Sequence, residues 1–91
     1  MYEWDNAKDA ANRLKHGVGF DRAEAFDWPN AVIEEDERYE YGERRFRAFG
    51  YIDDRPYCVV FSPRGKTIRI ISMRPMHLKE ARRYGLDKNQ D

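Results

Sequence analysis

Hydrophobic periodicity changes at Pro29, from a helical spacing before it to an alternating, strand-like spacing after it. Helical side chains recur on one face every three or four residues, whereas strand side chains alternate between two faces. The change therefore predicts helices first and a sheet second. With 91 residues the chain has room for one domain. We predict a single α+β domain over residues 1–91.

Two helices are predicted before Pro29. Over residues 5–16, Asp5 is a suitable N-cap and Gly17 a suitable residue after the last turn. A second helix is predicted over residues 21–28, where an Asp and a Glu three positions apart resemble a capping box and Pro29 ends the helix. The apolar face of the first, amphipathic helix is formed by Ala7, Ala10, Ala11 and Leu14. Beside that face lie Lys8, Asn12, Lys15 and His16.

The second part of the chain predicts a four-stranded antiparallel sheet. Strands are expected at residues 31–35, 46–52, 56–62 and 67–74. Hairpin turns at residues 53–54 and 64–65 make a meander the simplest topology. The third strand is apolar on both faces and is therefore expected at the centre. Residues 1–4 are a candidate extra edge strand, residues 77–84 a short C-terminal helix, and residues 86–91 a frayed tail.

The net charge of zero hides a division between the two halves of the chain. Residues 1–43 contain 5 Lys/Arg and 12 Asp/Glu, which gives −7, and residues 44–91 contain 12 and 5, which gives +7. Such asymmetry indicates contact with a polyanion or with an oppositely charged protein. The simpler alternative is that the two charged halves neutralise each other across the fold.

Cysteine and histidine usage argues against a disulfide framework and against a metal cofactor. Cys58 is the only cysteine and lies in an apolar run, so we expect it to be a buried small hydrophobe. His16, His77 and Cys58 are the only nitrogen or sulfur ligands, and their spacing resembles no zinc motif. The sequence also shows neither a membrane span nor a signal peptide, which predicts a cytoplasmic protein.

Arginines in the sheet region are candidate phosphate ligands. The arginine fork donates two hydrogen bonds at once, which suits phosphate. Arg64, Arg69 and Arg74 could together grip an RNA phosphate. However, Arg69 and Arg74 have opposite parity along their strand, so only a twist or a bulge would bring them together. The alternative is that these charges protect strand edges from aggregation.

Three further side chains are candidates for proton transfer or stacking. His16, at the C-terminus of the first helix, suits a general acid or base at neutral pH, or a structural capping role. Glu43 is the best carboxylate for a general base, with an ion pair to a neighbouring arginine as the alternative. Tyr84 could stack on a base or donate a proton, or pack against the sheet.

Three sequence motifs resemble the BrnT family of bacterial toxins. The first is Trp4-Asp5-x-x-Lys8-x-x-x-Asn12-x-x-Lys15-His16-Gly17-Val18-x-Phe20. The others are Tyr41-Gly42-Glu43-Arg44-Arg45-Phe46 and Ile68-Arg69-Ile70-Ile71-Ser72-Met73-Arg74. Their order and separation make a chance match improbable.

The resemblance implies a RelE-like fold and a ribonuclease toxin of a type II toxin–antitoxin pair that inhibits translation. It implies RNA cleavage through attack of the 2′-hydroxyl on the adjacent phosphate, with no metal ion. It also implies a neighbouring BrnA antitoxin, whose ribbon-helix-helix segment binds operator DNA and which forms a hetero-oligomer with the toxin. The antitoxin could dock on acidic residues 34–43 or on the basic sheet.

Carried onto this chain, the resemblance divides the candidate residues into two groups. The expected catalytic residues are His16, Glu43, Arg64, Arg69 and Arg74. The expected RNA-binding residues are Lys8, Lys15, Arg45 and Tyr84. A noncatalytic RNA-binding module and a protein-interaction domain remain alternatives, because both would use the same charges.

Overall fold

The computed structural model describes residues 1–87, so the last part of the predicted tail, residues 88–91, lies outside the described residues. The core is a five-stranded mixed sheet with the strand order β1-β5-β4-β3-β2. In chain order the elements are β1 (Tyr2–Glu3), α1 (Asn6–His16), two 3₁₀ helices (Phe20–Ala25 and Trp28–Asn30), β2 (Val32–Glu35), β3 (Phe46–Ile52), β4 (Arg55–Arg64), β5 (Thr67–Pro75) and α2 (Leu78–Arg83).

The predicted four-stranded antiparallel sheet is wrong, because a fifth strand makes the sheet mixed. Strands β2 to β5 are antiparallel neighbours in succession, with β4 at the centre. The two-residue strand β1 lies within residues 1–4, the candidate extra edge strand, and it adds to the outer edge of β5 in parallel, with Glu3 opposite Arg69. The partners of this strand lie 66 residues away along the chain, a pairing that no local pattern specifies.

The second predicted helix is also wrong, since its residues form two short 3₁₀ helices. The buried side chains are Phe20, Ala23 and Phe26, spaced three residues apart. That spacing matches the three residues per turn of a 3₁₀ helix and not the 3.6 of an α-helix. Phe26 then leaves the helix with extended backbone and forms a β-bridge with Ile52.

Helix α1 has the predicted caps but turns an unexpected face to the protein. The side chain of Asp5 accepts hydrogen bonds from the amides of Ala7 and Lys8 in the first turn. Gly17 adopts the left-handed conformation at φ 73°. The alanine and leucine face lies in solvent, with Leu14 92% exposed, while Asn12 is buried. The Asn12 amide bonds both main-chain polar groups of Met73 and so completes the edge of β5 beyond the end of β1.

An irregularity in β5 changes which side chains share a face of the sheet. Val60 pairs with Ser72 and Phe61 with Ile70, so Ile71 has no partner in β4. Beyond this bulge the alternation is reversed. Arg69 and Arg74 consequently lie opposite Ser62 and Cys58, respectively. These two positions of β4 are four residues apart and so point to the same face of the sheet. The bulge thus places both arginines on one face, which the strand parity alone did not allow.

Hydrophobic side chains cover both faces of the sheet. The larger core joins the first 3₁₀ helix to one face, and a smaller cluster joins α2 to the other. Cys58 belongs to the smaller cluster, as expected, and burial raises the pKa of its thiol to about 11. Leu86 is also buried in this cluster, so the predicted frayed tail is wrong at that position. None of the helices in residues 1–87 has the length and apolar composition of a membrane-spanning helix.

Candidate functional site

An open cleft of about 430 Å³ lies where α1 ends, β4 begins and β5 leads into α2. We name it the histidine cleft, and its walls are formed by Lys15, His16, Arg55, Arg74, Pro75, Met76 and His77. The amide of Met76 donates to the carbonyl oxygen of Pro56 at 2.9 Å, which holds the β5–α2 junction against the start of β4. Three of the predicted site residues therefore share one cleft: Lys15, His16 and Arg74.

His16 occupies the last turn of α1, directly before the left-handed Gly17. Its imidazole is partly buried. Burial and the charges of Lys15 and Arg74 lower its pKa below the ordinary value of 6.5. These influences outweigh the helix dipole, which on the sequence alone favours the protonated form. His16 is therefore neutral at physiological pH, the state in which an imidazole can accept a proton.

Arg74 is held in place by a carboxylate of α2. Its Nη1 and Nη2 donate to the two carboxylate oxygens of Glu80 at 2.7 and 2.8 Å. This paired contact raises the pKa of Arg74 and lowers that of Glu80. A guanidinium has five N–H donors in two forks. The fork formed by Nε and the second Nη2 hydrogen has no partner among residues 1–87 and can bind an anion.

Glu43, Arg45 and Arg64 form a second group at the opposite end of the sheet, which we name the Glu43 cluster. Glu43 accepts hydrogen bonds from Arg45 at 3.1 Å and from Arg64 at 3.0 Å. Burial alone would raise the pKa of the Glu43 carboxyl, but these two hydrogen bonds bring the pKa below its ordinary value. A carboxylate stabilised in this way is a weak base, so the alternative interpretation of Glu43 as an ion-pair partner fits the geometry better.

The two groups are too far apart to act on one phosphate. Arg64 ends β4, and Arg74 lies opposite Cys58, six residues earlier in that strand. At the rise of a β-strand this separation is about 20 Å. The structure therefore does not bring the predicted phosphate ligands Arg64 and Arg74 together.

Arg69 and Lys8 lie near the N-terminal end of α1. Arg69 donates to Glu3 of the neighbouring strand at 2.8 Å, so this arginine also has a carboxylate partner. Hydrogen bonds from the amides of Lys8 and Ala7 lower the pKa of Asp5, and the charges of Lys8 and Arg69 add to this effect. Lys8 is exposed. These two residues lie outside the histidine cleft.

Tyr84 packs on the sheet, in agreement with the alternative expectation for it. Its ring stacks on Phe49 with a centroid distance of 3.9 Å. Its hydroxyl donates to Glu34 at 3.2 Å, and Arg47 donates to the same carboxylate. Burial, followed by the negative charge of Glu34, raises the pKa of Tyr84. Proton donation by Tyr84 at neutral pH is therefore disfavoured.

Much of the charge asymmetry between the two halves is neutralised inside the fold. Five arginines after position 43 pair with carboxylates at or before it, namely Arg44–Glu35, Arg45–Glu43, Arg47–Glu34, Arg64–Glu43 and Arg69–Glu3. In contrast, no ion pair within residues 1–87 involves Lys15 or Arg55. The histidine cleft thus keeps positive charge available for an anion.

Sequence reasoning missed two residues of the cleft, Arg55 and His77. Arg55 follows the predicted turn at residues 53–54, and His77 precedes α2. Only the three-dimensional arrangement brings both residues into one cleft with the end of α1. The sequence contains one weak signal of the pairing between Arg74 and Glu80, namely a carboxylate six residues after the arginine. Within residues 1–87, no three His, Cys, Asp or Glu side chains converge as they would around a metal ion.

Comparison with known proteins identifies the family of the chain. Residues 4–80 match the family described as "Ribonuclease toxin, BrnT, of type II toxin-antitoxin system". The chain belongs to the BrnT family. The resemblance drawn from the three sequence motifs is confirmed, and with it membership of a family of ribonuclease toxins from type II toxin–antitoxin systems.

A solved structure supports the same assignment. The structure is similar to the 1.1 Å crystal structure of the Brucella abortus ribonuclease toxin BrnT, with a TM-score of 0.69 and 27% sequence identity. The match covers 85% of this chain and 97% of the Brucella chain. No curated protein matches the chain.

Proposed function

We propose that this BrnT-family chain is an endoribonuclease that cuts RNA in the histidine cleft and thereby inhibits translation in the cytoplasm. The single observation that supports this location is that two cations of the cleft, Lys15 and Arg55, have no carboxylate partner among residues 1–87. The same cleft also holds His16. An RNA phosphate is the anion that a ribonuclease must bind, and it fits cations that the fold leaves unneutralised.

The reaction we propose is attack of the RNA 2′-hydroxyl on the adjacent phosphorus, without a metal ion. The attack needs a base for the hydroxyl proton and cations for the charge that develops on the phosphate oxygens. Neutral His16 is the base, and the open fork of Arg74 binds a phosphate oxygen. The products are a 2′,3′-cyclic phosphate and a 5′-hydroxyl end.

The other candidate residues have supporting roles in this proposal. Lys15 binds the phosphate chain at the rim of the cleft, because it is exposed there. Arg45, Arg64, Arg69 and Lys8 guide flanking RNA by charge, away from the cleaved bond. Tyr84 and Glu43 hold neighbouring side chains in position, since both are engaged in hydrogen bonds within the fold.

The proposed partner is a BrnA-type antitoxin that neutralises the toxin in a hetero-oligomer. Its ribbon-helix-helix segment binds the operator DNA, so the toxin itself contacts that DNA only through the antitoxin. Family membership in type II toxin–antitoxin systems supports a protein antitoxin. Two surfaces are available for it, the acidic residues 34–43 and the basic sheet.

A noncatalytic RNA-binding or protein-interaction module is the second candidate function. The observation that favours it is the pairing of Arg64, Arg69 and Arg74 with carboxylates, which gives each of them a structural role. Such a module would bind RNA in a salt-sensitive manner and yield no product.

Induced expression in a bacterial host, with and without the adjacent gene, tests the proposed function. We expect growth arrest with new RNA ends that carry cyclic phosphates, relieved when the neighbouring protein is made. Purified protein should release the same ends in the presence of EDTA. Intact RNA from cells and from assays with folded protein would favour the noncatalytic module.

A further inference from the structure

His77 lies in the same cleft as His16 but comes from a different part of the fold. It is the N-cap residue of α2, with extended backbone at φ −74° and ψ 155°. N-cap side chains usually bond a free amide of the first turn, whereas the His77 side chain makes no such bond. The imidazole is exposed in the cleft and is not committed to holding the helix.

Arg74 lines two neighbouring clefts, and His77 lines both of them as well. It lines the histidine cleft together with His16 and His77. It also lines an adjoining cleft of about 550 Å³, whose other walls are His77, Lys79, Glu80 and Arg83. The Arg74 guanidinium therefore shares one cleft with an imidazole from the end of α1 and another from the start of α2.

The proposed reaction requires an acid as well as a base, and the roles assigned above supply only the base. The 5′-oxygen leaves as a strongly basic alkoxide unless it receives a proton as its bond to phosphorus breaks. Arginine does not release its proton at neutral pH. Tyr84 is stacked on Phe49 and bonded to Glu34, outside the residues that line the cleft.

We propose that His77 is the general acid that protonates the leaving 5′-oxygen, opposite His16 across the phosphate held by Arg74. This inference rests on the proposed ribonuclease function. In the step, His16 takes the 2′-hydroxyl proton while O2′ bonds to phosphorus. The bond from phosphorus to O5′ breaks, and O5′ receives the proton of His77. One proton is gained by His16 and one is lost by His77, so the charge of the pair is unchanged.

Charged groups from each adjoining element surround this pair. Lys15 of α1, Arg55 of β4 and Arg74 of β5 face the cleft, and α2 adds Lys79, Glu80 and Arg83 next to His77. Glu80 is the one carboxylate among the residues that line the two clefts, and it is already paired with Arg74. A base and an acid should give a rate that falls at both low and high pH.

A leaving group that needs no proton separates general acid catalysis from simple phosphate binding. The assay compares ordinary RNA with an oligonucleotide whose 5′-oxygen at the mapped cleavage site is replaced by sulfur, because a thiolate leaves unprotonated. We expect His77→Asn to lose about 10²-fold or more of the single-turnover rate on ordinary RNA, because the 5′-oxygen then leaves without a proton. On the sulfur substrate it should be within about tenfold of wild type.

Two variants serve as controls. His16→Asn should lose rate on both substrates, because the 2′-hydroxyl must be deprotonated in each. Arg82→Gln removes a charge from the same helix at a position that lines neither cleft, and it should keep the wild-type pH profile. A folded His77→Asn protein with wild-type rates, or with equal losses on both substrates, would overturn the role of His77. Absence of cleavage of either substrate by wild type would instead overturn the proposed ribonuclease function itself.

Discussion

The two ends of the sheet hold similar numbers of cationic side chains but differ in how those charges are satisfied. In the Glu43 cluster, Arg45 and Arg64 share one carboxylate. In the histidine cleft, Lys15 and Arg55 have no ion-pair partner among the described residues, and Arg74 has donors to spare beyond Glu80. The comparison teaches that counting arginines does not locate an anion site. We propose that the unneutralised charge marks that site.

The comparison predicts that the largest loss of activity comes from Arg74. Arg74→Ala should reduce the single-turnover rate of RNA cleavage by about 10³-fold, since it removes the donors aimed at the phosphate in the transition state. The matched variant Arg64→Ala, at the other end of the sheet, should keep the rate within about tenfold and weaken RNA binding for all sequences alike. Equal losses of rate in the two folded variants would contradict the proposed difference in function between the histidine cleft and the Glu43 cluster.

The next largest effect is expected at His16, the proposed base in the cleft. His16→Asn should lower the cleavage rate by about 10²-fold or more. In wild type, the rate should fall as the pH decreases through the His16 pKa, which lies below 6.5, because protonation removes the base. Rates measured between pH 4.5 and 9 check the sign. If the rate of His16→Asn still declined at acidic pH, a group other than His16 would be responsible for the decline.

A stability effect is predicted at Asn12, which connects α1 to β5. Asn12→Ala leaves both polar groups of Met73 and the carbonyl of Val18 without their partner. Unsatisfied buried groups cost free energy, so we expect a loss of about 3 kcal/mol in unfolding free energy, measured in urea. The same change at exposed Asn6 in the same helix should shift stability by no more than about 0.5 kcal/mol. Similar values for both would mean that Asn12 contributes only as a helix residue.

The smallest effect is expected from neutralising the centre of the Glu43 cluster. Glu43→Gln frees Arg45 and Arg64 from a negative charge, so RNA affinity should rise a few-fold at low salt, with a steeper salt dependence. The cleavage rate at saturating protein should not change. If Glu43 were the base, the rate would instead fall by about 10²-fold.

Local signals predicted several elements correctly because their causes are local. Asp5 and Gly17 mark the ends of α1, and the run around Cys58 marks the central strand. The first 3₁₀ helix is not predicted because Asp21 and Glu24 favour an α-helical start. The spacing of three among the buried side chains becomes visible only when the segment packs on the sheet.

Other features depend on contacts between distant parts of the chain. Asn12 is buried because the edge of β5, 61 residues away, lacks a strand partner at Met73. The exposed side of α1 then follows from that contact and not from its own apolar pattern. In the same way, Arg69 and Arg74 share a face only because of the bulge at Ile71. His16 and Arg74 are predicted as site residues from the sequence. That they lie far from Glu43 and Arg64 can be known only from the register of the strands.

The proposed position of the reacting phosphate is tested most directly by a crystal structure of the toxin with an RNA oligonucleotide that carries a 2′-deoxy sugar at the mapped cleavage site. Because this RNA cannot be cleaved, it reports where the reacting phosphate binds. We expect to find that phosphate in the histidine cleft, about 3 Å from Nε or Nη2 of Arg74, with the imidazole of His16 on the side of the missing hydroxyl. A phosphate bound instead between Arg45 and Arg64 would contradict the proposed position.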